Sequence, residues 1–369
     1  MTTFATSEST KKYAARFAGR AAAGHFREQQ GLWLSSIGIG TYLGEPDART
    51  DQAYTDAIVA AVESGVNVID SAINYRFQRS ERSVRAALHE LARRGFAREE
   101  MVICTKGGFL TPDGDMPSDA SEYFNHEYVA TQILREGDVA AGCHSMAPRF
   151  IADQIDRSRR NLGVETIDVY YLHNPETQLG EVPREMFNSR VREAFEFLES
   201  AVAAAKIHFY GMATWNAFRQ GENEQDFLSL AAMESLARDV AGGSHHLRFV
   251  QLPCNLGMTE ALTRPNQSLD GSRVPMVEAA NKLGITLVAS AAMLQGKLSR
   301  GLPPFVATAL GLQNDAERAL QFVRSTPGIT TALVGMSRVE HVGANLSLVA
   351  VPPASKDEFS RLFERGKQA

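Results

Sequence analysis

Eight short apolar runs recur along the chain, separated by longer stretches of mixed polarity. They are LWLSSIGIG (32–40), VNVID (66–70), MVICTK (101–106), IDVYYLH (167–173), AKIHFYGMAT (205–214), LRFVQLPCN (247–255), GITLVASAAM (284–293) and GITTALVGM (328–336). Most are rich in β-branched and aromatic residues and nearly unbroken rather than alternating. That is how strands buried on both faces of a parallel sheet read. Between them the period changes to that of helices. In 51–64, Ala57, Ile58, Ala61 and Val62 fall on one stripe, and Gly65 follows as a helix stop. In 80–94 the pattern repeats, with Ser80 as the expected cap and Gly95 after the end. Further helices are predicted over 148–162, 189–205, 225–240, 273–283 and 338–348.

Consecutive runs start fewer than 45 residues apart, except that 66 residues separate Met101 from Ile167. Eight β-then-α units of this size predict a (β/α)8 TIM barrel. The long gap holds an insertion, residues 107–147, after the third run. It is rich in Gly, Pro, Asp and Ser, with a short helix expected at 126–136. An insertion there rises from the C-terminal face of the barrel, where such folds keep their sites and lids. Residues 1–30 read as an N-terminal arm and 31–369 as a single barrel domain. The arm stretch TKKYAARFAGRAAAGHFREQQ carries five Lys/Arg and one acid, Glu28. An Ala- and Arg-rich opening also fits a transit peptide, and an arm lying on the domain is the plainer reading.

Composition narrows the class. With 369 residues, 44% hydrophobic, the chain can bury a large core, and its net charge of −5 leaves no basic stripe for nucleic acid. Three scattered cysteines, Cys104, Cys143 and Cys254, form no disulfide framework and suit a reducing, cytoplasmic setting. No apolar run is long enough to span a membrane. Cys143 and His144 are adjacent, which makes a poor chelate, so no metal is expected.

The chemistry gathers at the run ends. The second ends in Asp70, the third in Lys106, the fourth in His173, and Tyr75 follows Asp70 by five residues. Singly, each has an ordinary explanation: a turn cap, a solvated lysine, a structural histidine, a packed tyrosine. Together, on neighbouring strands, they can share one barrel mouth. The set suits carbonyl reduction. A phenol near its usual pKa of ~10 is a weak acid at neutral pH, and a nearby cation favours its phenolate. Lys106 is that cation, Asp70 holds it, and His173 donates a hydrogen bond to the carbonyl oxygen. The hydride comes from a cofactor.

VNVIDSAINYRFQRSERSVRAAL, VICTKGG and IDVYYLHNPE resemble the Asp–Tyr, Lys and His motifs of the aldo-keto reductase family, over about residues 32–350. The resemblance implies a catalytic tetrad of Asp70, Tyr75, Lys106 and His173, a small-molecule aldehyde or ketone substrate, and NADPH (NADP+) as cofactor, with NADH possible. It makes FVQLPCN the segment that presents Gln251 to the nicotinamide carboxamide. It makes ALVGMSRVEHVGANL the adenosine-phosphate segment, with Gly335, Ser337, Arg338 and Asn345 as contacts. A Gly-x-Ser-Arg turn opening a helix offers backbone N–H groups, a hydroxyl and a fixed cation to an anion. The chain also departs from the family. GMATWN replaces the usual Ser-Asn pair, leaving Thr214 to supply one hydrogen bond. Ser290 stands where a tyrosine usually stacks on the nicotinamide, with Ala292 at a proline position, and His341 and Ala344 alter the adenine site. Trp215 and Phe305 are candidate substitutes for the lost aromatic. These departures keep a second class open, a cofactor-binding regulatory protein that turns over little. A Schiff-base role for Lys106 is a third reading, and it explains Asp70 and Tyr75 less well.

Overall fold

In a computed structural model, residues 4–364 are described. The strands are β1 (Phe26–Gln29), β2 (Leu32–Ser35), β3 (Ile37–Gly40), β4 (Val68–Asp70), β5 (Val102–Gly107), β6 (Ile167–His173), β7 (Ile207–Ala213), β8 (Leu247–Pro253), β9 (Gln267–Leu269), β10 (Ser272–Val274), β11 (Thr286–Ser290) and β12 (Ile329–Gly335). The helices are α1 (Ser7–Ala15), α2 (Ala48–Glu63), α3 (Arg79–Arg93), α4 (Ala120–Phe124), α5 (Pro148–Leu162), α6 (Arg184–Ala203), α7 (Leu230–Ala241), α8 (Glu260–Thr263), α9 (Met276–Lys282), α10 (Pro304–Leu310), α11 (Asp315–Ser325), α12 (Val339–Leu346) and α13 (Lys356–Glu364).

Eight strands close a parallel barrel in the order β3-β4-β5-β6-β7-β8-β11-β12. Val68, Val102, Cys104, Val169, Tyr171, Phe249, Val288 and Leu333 pack together with Leu32 and Leu34 as one buried cluster of the barrel. A second, larger cluster joins the strands to the helices around them, so the strands are covered on both faces, as their unbroken apolar runs require.

Several boundaries differ from the sequence expectation. The first run, 32–40, divides: β2 pairs antiparallel with β1 in a hairpin, and only β3 enters the barrel. The break falls at Ser35-Ser36, where the Asn67 side chain accepts the Ser35 N–H at 2.9 Å. The residues ahead of the barrel are well tied down: Tyr13 is fully buried, and its hydroxyl donates to the carbonyls of Val62 and Val66. Ser80 does not cap α3. The helix starts at Arg79 behind a left-handed Gln78, and Ser80 Oγ donates to Thr41 O while accepting from Arg76 Nε. The helix in the insertion lies earlier than 126–136. Asp119 caps α4 by accepting the Glu122 N–H at 2.9 Å, and one π-helical turn, Asn125–Val129, follows. The hairpin β9-β10 and the helices α10 and α11 were not read from the sequence.

Candidate functional site

The C-terminal end of the barrel opens into a cavity of about 650 Å³. Asp70 ends β4, His173 ends β6, and Lys106 is the next-to-last residue of β5, so the strand register itself delivers three of the four expected groups. Tyr75 comes from the turn after β4. Asp70, Tyr75 and His173 line the cavity, and Lys106 lies directly behind them.

Lys106 Nζ donates to Asp70 Oδ2 at 2.6 Å, to the Ser71 carbonyl at 2.7 Å, and to Tyr75 Oη at 3.4 Å. Asp70 Oδ1 accepts from Gln251 Nε2 at 2.8 Å. Lys106 is 1% exposed, so its charge depends on this pairing. Burial works to lower its pKa, and Asp70 with Tyr75 more than offsets that, so the net shift is upward and the ammonium persists. Asp70 is pushed up by burial and pulled back by Lys106 and Gln251. Tyr75 is also raised, because burial outweighs the opposing pull of Lys106. The expected acidification of the phenol is therefore not a property of the resting site. The phenol stays protonated, and the lysine beside it is positioned to receive a phenolate once the proton has left. His173 is lowered well below the usual imidazole range, by burial first and then by Lys106 and His144, so it is neutral. Its Nδ1 is buried without a partner, and its ring is edge-on to Tyr75 at 5.8 Å and to Phe109 at 5.1 Å.

The turn that carries Tyr75 is unusual. Arg76, Phe77 and Gln78 all have positive φ, 47°, 54° and 70°. Three consecutive left-handed residues without glycine are strained, at about 1–3 kcal/mol each, and persist only where the surroundings impose them. Arg76 supplies that constraint. It is 7% exposed, reaches Asp51 at 2.6 Å and the hydroxyls of Ser80 and Ser83 at 3.1 Å, and lies over the Tyr54 ring. Gln78 is held in turn by Pro112 O and by Asn161 Nδ2.

The two glycines after Lys106 are both required by close approach. A Cβ on Gly107 would lie 1.9 Å from Tyr170 Oη, and one on Gly108, where φ is 141°, 2.7 Å from His144 Nε2.

The residues expected at a cofactor separate into two groups. Thr214, Gln251, Ser290 and Gly335 line the cavity. Thr214 Oγ1 is buried with no partner. Gln251 gives one Nε2 N–H to Asp70, which leaves its second N–H and Oε1 for a ligand. Ser337, Arg338 and Asn345 lie outside the cavity lining, with Ser337 and Arg338 between β12 and α12 and Asn345 within α12. Arg338 is exposed, with no ion pair or side-chain hydrogen bond among the described residues. Of the two candidate aromatics, Trp215 lines the cavity and is 45% exposed at its mouth. Phe305 does not line it; it lies in α10, which packs on α11 and α13. Cys143 and His144 do not form a ligand pair. His144 is buried, with Nε2 on His173 O at 2.8 Å and Nδ1 on Gln178 Nε2 at 3.1 Å.

Sequence reasoning missed much of the cavity lining, Tyr42, Asn74 and Lys297 among it. Tyr42 stands edge-on to Tyr75 at 5.0 Å, and among the described residues Asn74 has a buried and unpartnered Oδ1 and Lys297, on the loop after β11, is an unpaired cation. The Gly296-Lys297 pair just past an apolar run was the one local signal for Lys297.

The model of the aldo/keto reductase family matches residues 36–225, and the chain belongs to that family. The matched stretch includes Asp70, Tyr75, Lys106, His173 and Thr214, and ends before Gln251, Ser290 and the β12–α12 segment. Among curated relatives, the NADH-specific methylglyoxal reductase of Escherichia coli is 30% identical over 191 residues, 50% of each protein. The 6-dehydroglucose reductase of Novosphingobium aromaticivorans is 26% identical over 188 residues, 50% of this chain and 49% of that protein. The chain thus matches about half the length of these relatives. Among solved structures, an aldo/keto reductase from Klebsiella pneumoniae in complex with NADP and acetate superimposes with a TM-score of 0.61. It is 20% identical, with 92% of this chain and 94% of that one covered, a likeness of fold.

Proposed function

We propose that the protein is an NAD(P)H-dependent oxidoreductase that reduces an aldehyde or ketone to an alcohol. The observation that carries this reading is the continuous chain Gln251–Asp70–Lys106–Tyr75, which ends with His173 at one cavity. Family membership supports the reaction class, and the NADP named in the Klebsiella structure and the NADH preference named in the E. coli relative support the cofactor class.

A nicotinamide cofactor suits the residues present. Thr214 Oγ1 is an orphaned polar atom in the cavity wall, Gly335 leaves room at the strand end, and Arg338 with Ser337 offers an unpaired cation and a hydroxyl to a phosphate. Thr214, Gln251, Ser290, Gly335, Ser337, Arg338 and Asn345 are the positions assigned to it, with NADPH preferred on the strength of Arg338. When bound, it supplies the hydride. The protein does the rest. His173, being neutral, donates a hydrogen bond to the carbonyl oxygen and fixes its pose. As the C=O becomes an alkoxide, the Tyr75 hydroxyl delivers its proton to that oxygen, since an alkoxide is a much stronger base than a phenolate. The phenolate left behind is compensated by Lys106, 3.4 Å away, and Asp70 keeps Lys106 charged and aimed.

The test is titration with NADPH and with NADH, followed by intrinsic fluorescence, in wild type and Arg338→Ala. NADPH binding weakened about tenfold or more by the substitution, the size of one lost charge-assisted contact, supports the phosphate assignment. Tyr75→Phe should then lower kcat on a reducible carbonyl by at least about 100-fold. Equal binding of both cofactors by both proteins removes the role of Arg338, and absence of binding removes the reductase reading. A second reading, cofactor binding with little turnover, is favoured by Ala213, which gives the carboxamide no side-chain hydrogen bond, and by Ser290, which offers the nicotinamide no stacked ring. Tight binding with single-turnover reduction slower than release would establish it.

A further inference from the structure

We infer that His144, from the insertion after β5, is a positioning residue for His173, so that the insertion is a working wall of the site. This rests on the reading of His173 as the group that hydrogen-bonds the carbonyl oxygen.

His173 is weakly held as a side chain. Its Nδ1 has no partner, and among the described residues its ring makes no hydrogen bond within the protein. Its orientation depends on what grips its backbone and on the rings beside it, and His144 supplies part of both. Its Nε2 donates to the His173 carbonyl at 2.8 Å, where the chain leaves β6 for a left-handed Asn174 (φ 46°). Its ring also packs edge-on against Phe109 at 5.1 Å, and Phe109 in turn packs at 90° against the His173 ring at 5.1 Å. One residue therefore fixes the backbone end of His173 and the cavity wall that orients its imidazole.

The hydrogen bonding leaves His144 a single tautomer. Arg190 Nη1 donates to Gln178 Oε1 at 2.6 Å, which turns the amide so that its NH2 faces His144 Nδ1 at 3.1 Å. Nδ1 must then accept, and the proton sits on Nε2, pointing at the His173 carbonyl. His144 is fully buried, and burial lowers its pKa to about 4, in keeping with a permanently neutral ring. The insertion is anchored at the same place by Ser145 N–H on Gly108 O at 2.8 Å and Leu110 N–H on Cys143 O at 2.7 Å. The short approach of Gly108 to His144 leaves no space for a side chain there.

The experiment compares His144→Leu, which removes the donor, with His144→Gln, whose amide N–H reaches the same carbonyl. In His144→Leu, kcat/KM for a carbonyl substrate should fall about tenfold or more, while the Kd for NADPH stays within about twofold, since no cofactor position touches His144. His144→Gln should recover at least about a third of the lost rate. Imidazole NMR of the wild type and both variants reads the His173 ring without any turnover: its signals should shift or broaden in His144→Leu and return in His144→Gln. An unchanged His173 ring and rate in folded His144→Leu overturns the proposal. So does an equal loss in both variants, which would mean packing alone. If His144→Leu does not fold, Gln178→Met releases the tautomer lock and should move the same signals in the same direction; no movement there overturns the proposal. A wild type that reduces no carbonyl sinks the functional reading, and the NMR comparison still decides whether His144 holds His173.

Discussion

The ion pair of Asp70 and Lys106 shows how far one residue's state depends on another. Both side chains are nearly inaccessible, and neither charge is tolerable there alone. Asp70→Asn leaves the Lys106 ammonium buried among neutral acceptors, with no counter-charge. It should destabilise the protein by about 3–5 kcal/mol, the cost of stripping one partner from a buried pair, measured as the change in urea midpoint at constant m. The Lys106 pKa should drop in the same variant, since its upward shift comes mainly from Asp70. Asp70, Lys106 and His173 were legible in the sequence because each stands at the end of an apolar run, and Tyr75 because it follows Asp70 by five residues. Their mutual order was not. That Gln251 supports Asp70, from 181 residues away, depends on a barrel closure that no local pattern encodes.

Among the elements, the turn after β6 (Pro175–Gly180) is tied to the loop after β7 by one carboxyl. Glu176 Oε1 accepts the N–H groups of Trp215 at 2.7 Å and Asn216 at 3.2 Å, while its Oε2 is buried without a partner. Burial pushes its pKa up to about 7, against the lowering effect of those N–H groups. The folded value lies above the unfolded one, so this carboxyl favours the folded state fully below about pH 4.5, and that contribution is lost as the pH rises toward 7. Glu176→Gln keeps the oxygen that accepts from the loop and cannot ionise. Relative to wild type it should gain stability progressively between pH 4.5 and 7, by roughly 3 kcal/mol in all, and a flat difference across that range would refute the assignment. Helix periods and stops were readable here because they are local. The cap at Ser80 was misread because Arg76, in a turn of the opposite hand, claims that hydroxyl.

At the scale of the molecule, the two ends of the barrel have different tasks. The C-terminal end holds the cavity. At the other, Asp168 is fully buried and accepts the N–H groups of Ala5 at 2.6 Å and Ile103 at 2.7 Å, with Arg98 Nη2 at 2.7 Å. Tyr13 and Phe17 bury their rings against the same side of the fold. Deleting residues 1–23 removes both rings, worth about 1.5–3 kcal/mol each. Tm should fall by on the order of 10 °C. KM should not change in the protein that remains folded, because none of the described residues of that segment, 4–23, lines the cavity. A changed KM with an unchanged Tm would refute this division. Among the described residues no helix is long and apolar enough to cross a membrane.

The alternation of buried runs with amphipathic segments determined the barrel by itself, because a strand covered on both faces and a helix covered on one have distinct periods. The same pattern placed Asp70, Lys106 and His173 at one end, because parallel strands all finish on the same side. Only the tertiary structure decided what those residues do to one another. Burial overrules the lysine in setting the resting acidity of Tyr75, Arg76 holds three left-handed residues in place, Phe305 lies outside the cavity lining, and His144 turns a loop insertion into part of the wall. Each of these depends on distance, desolvation or packing between segments that the fold brings together, and none of them leaves a period in the chain.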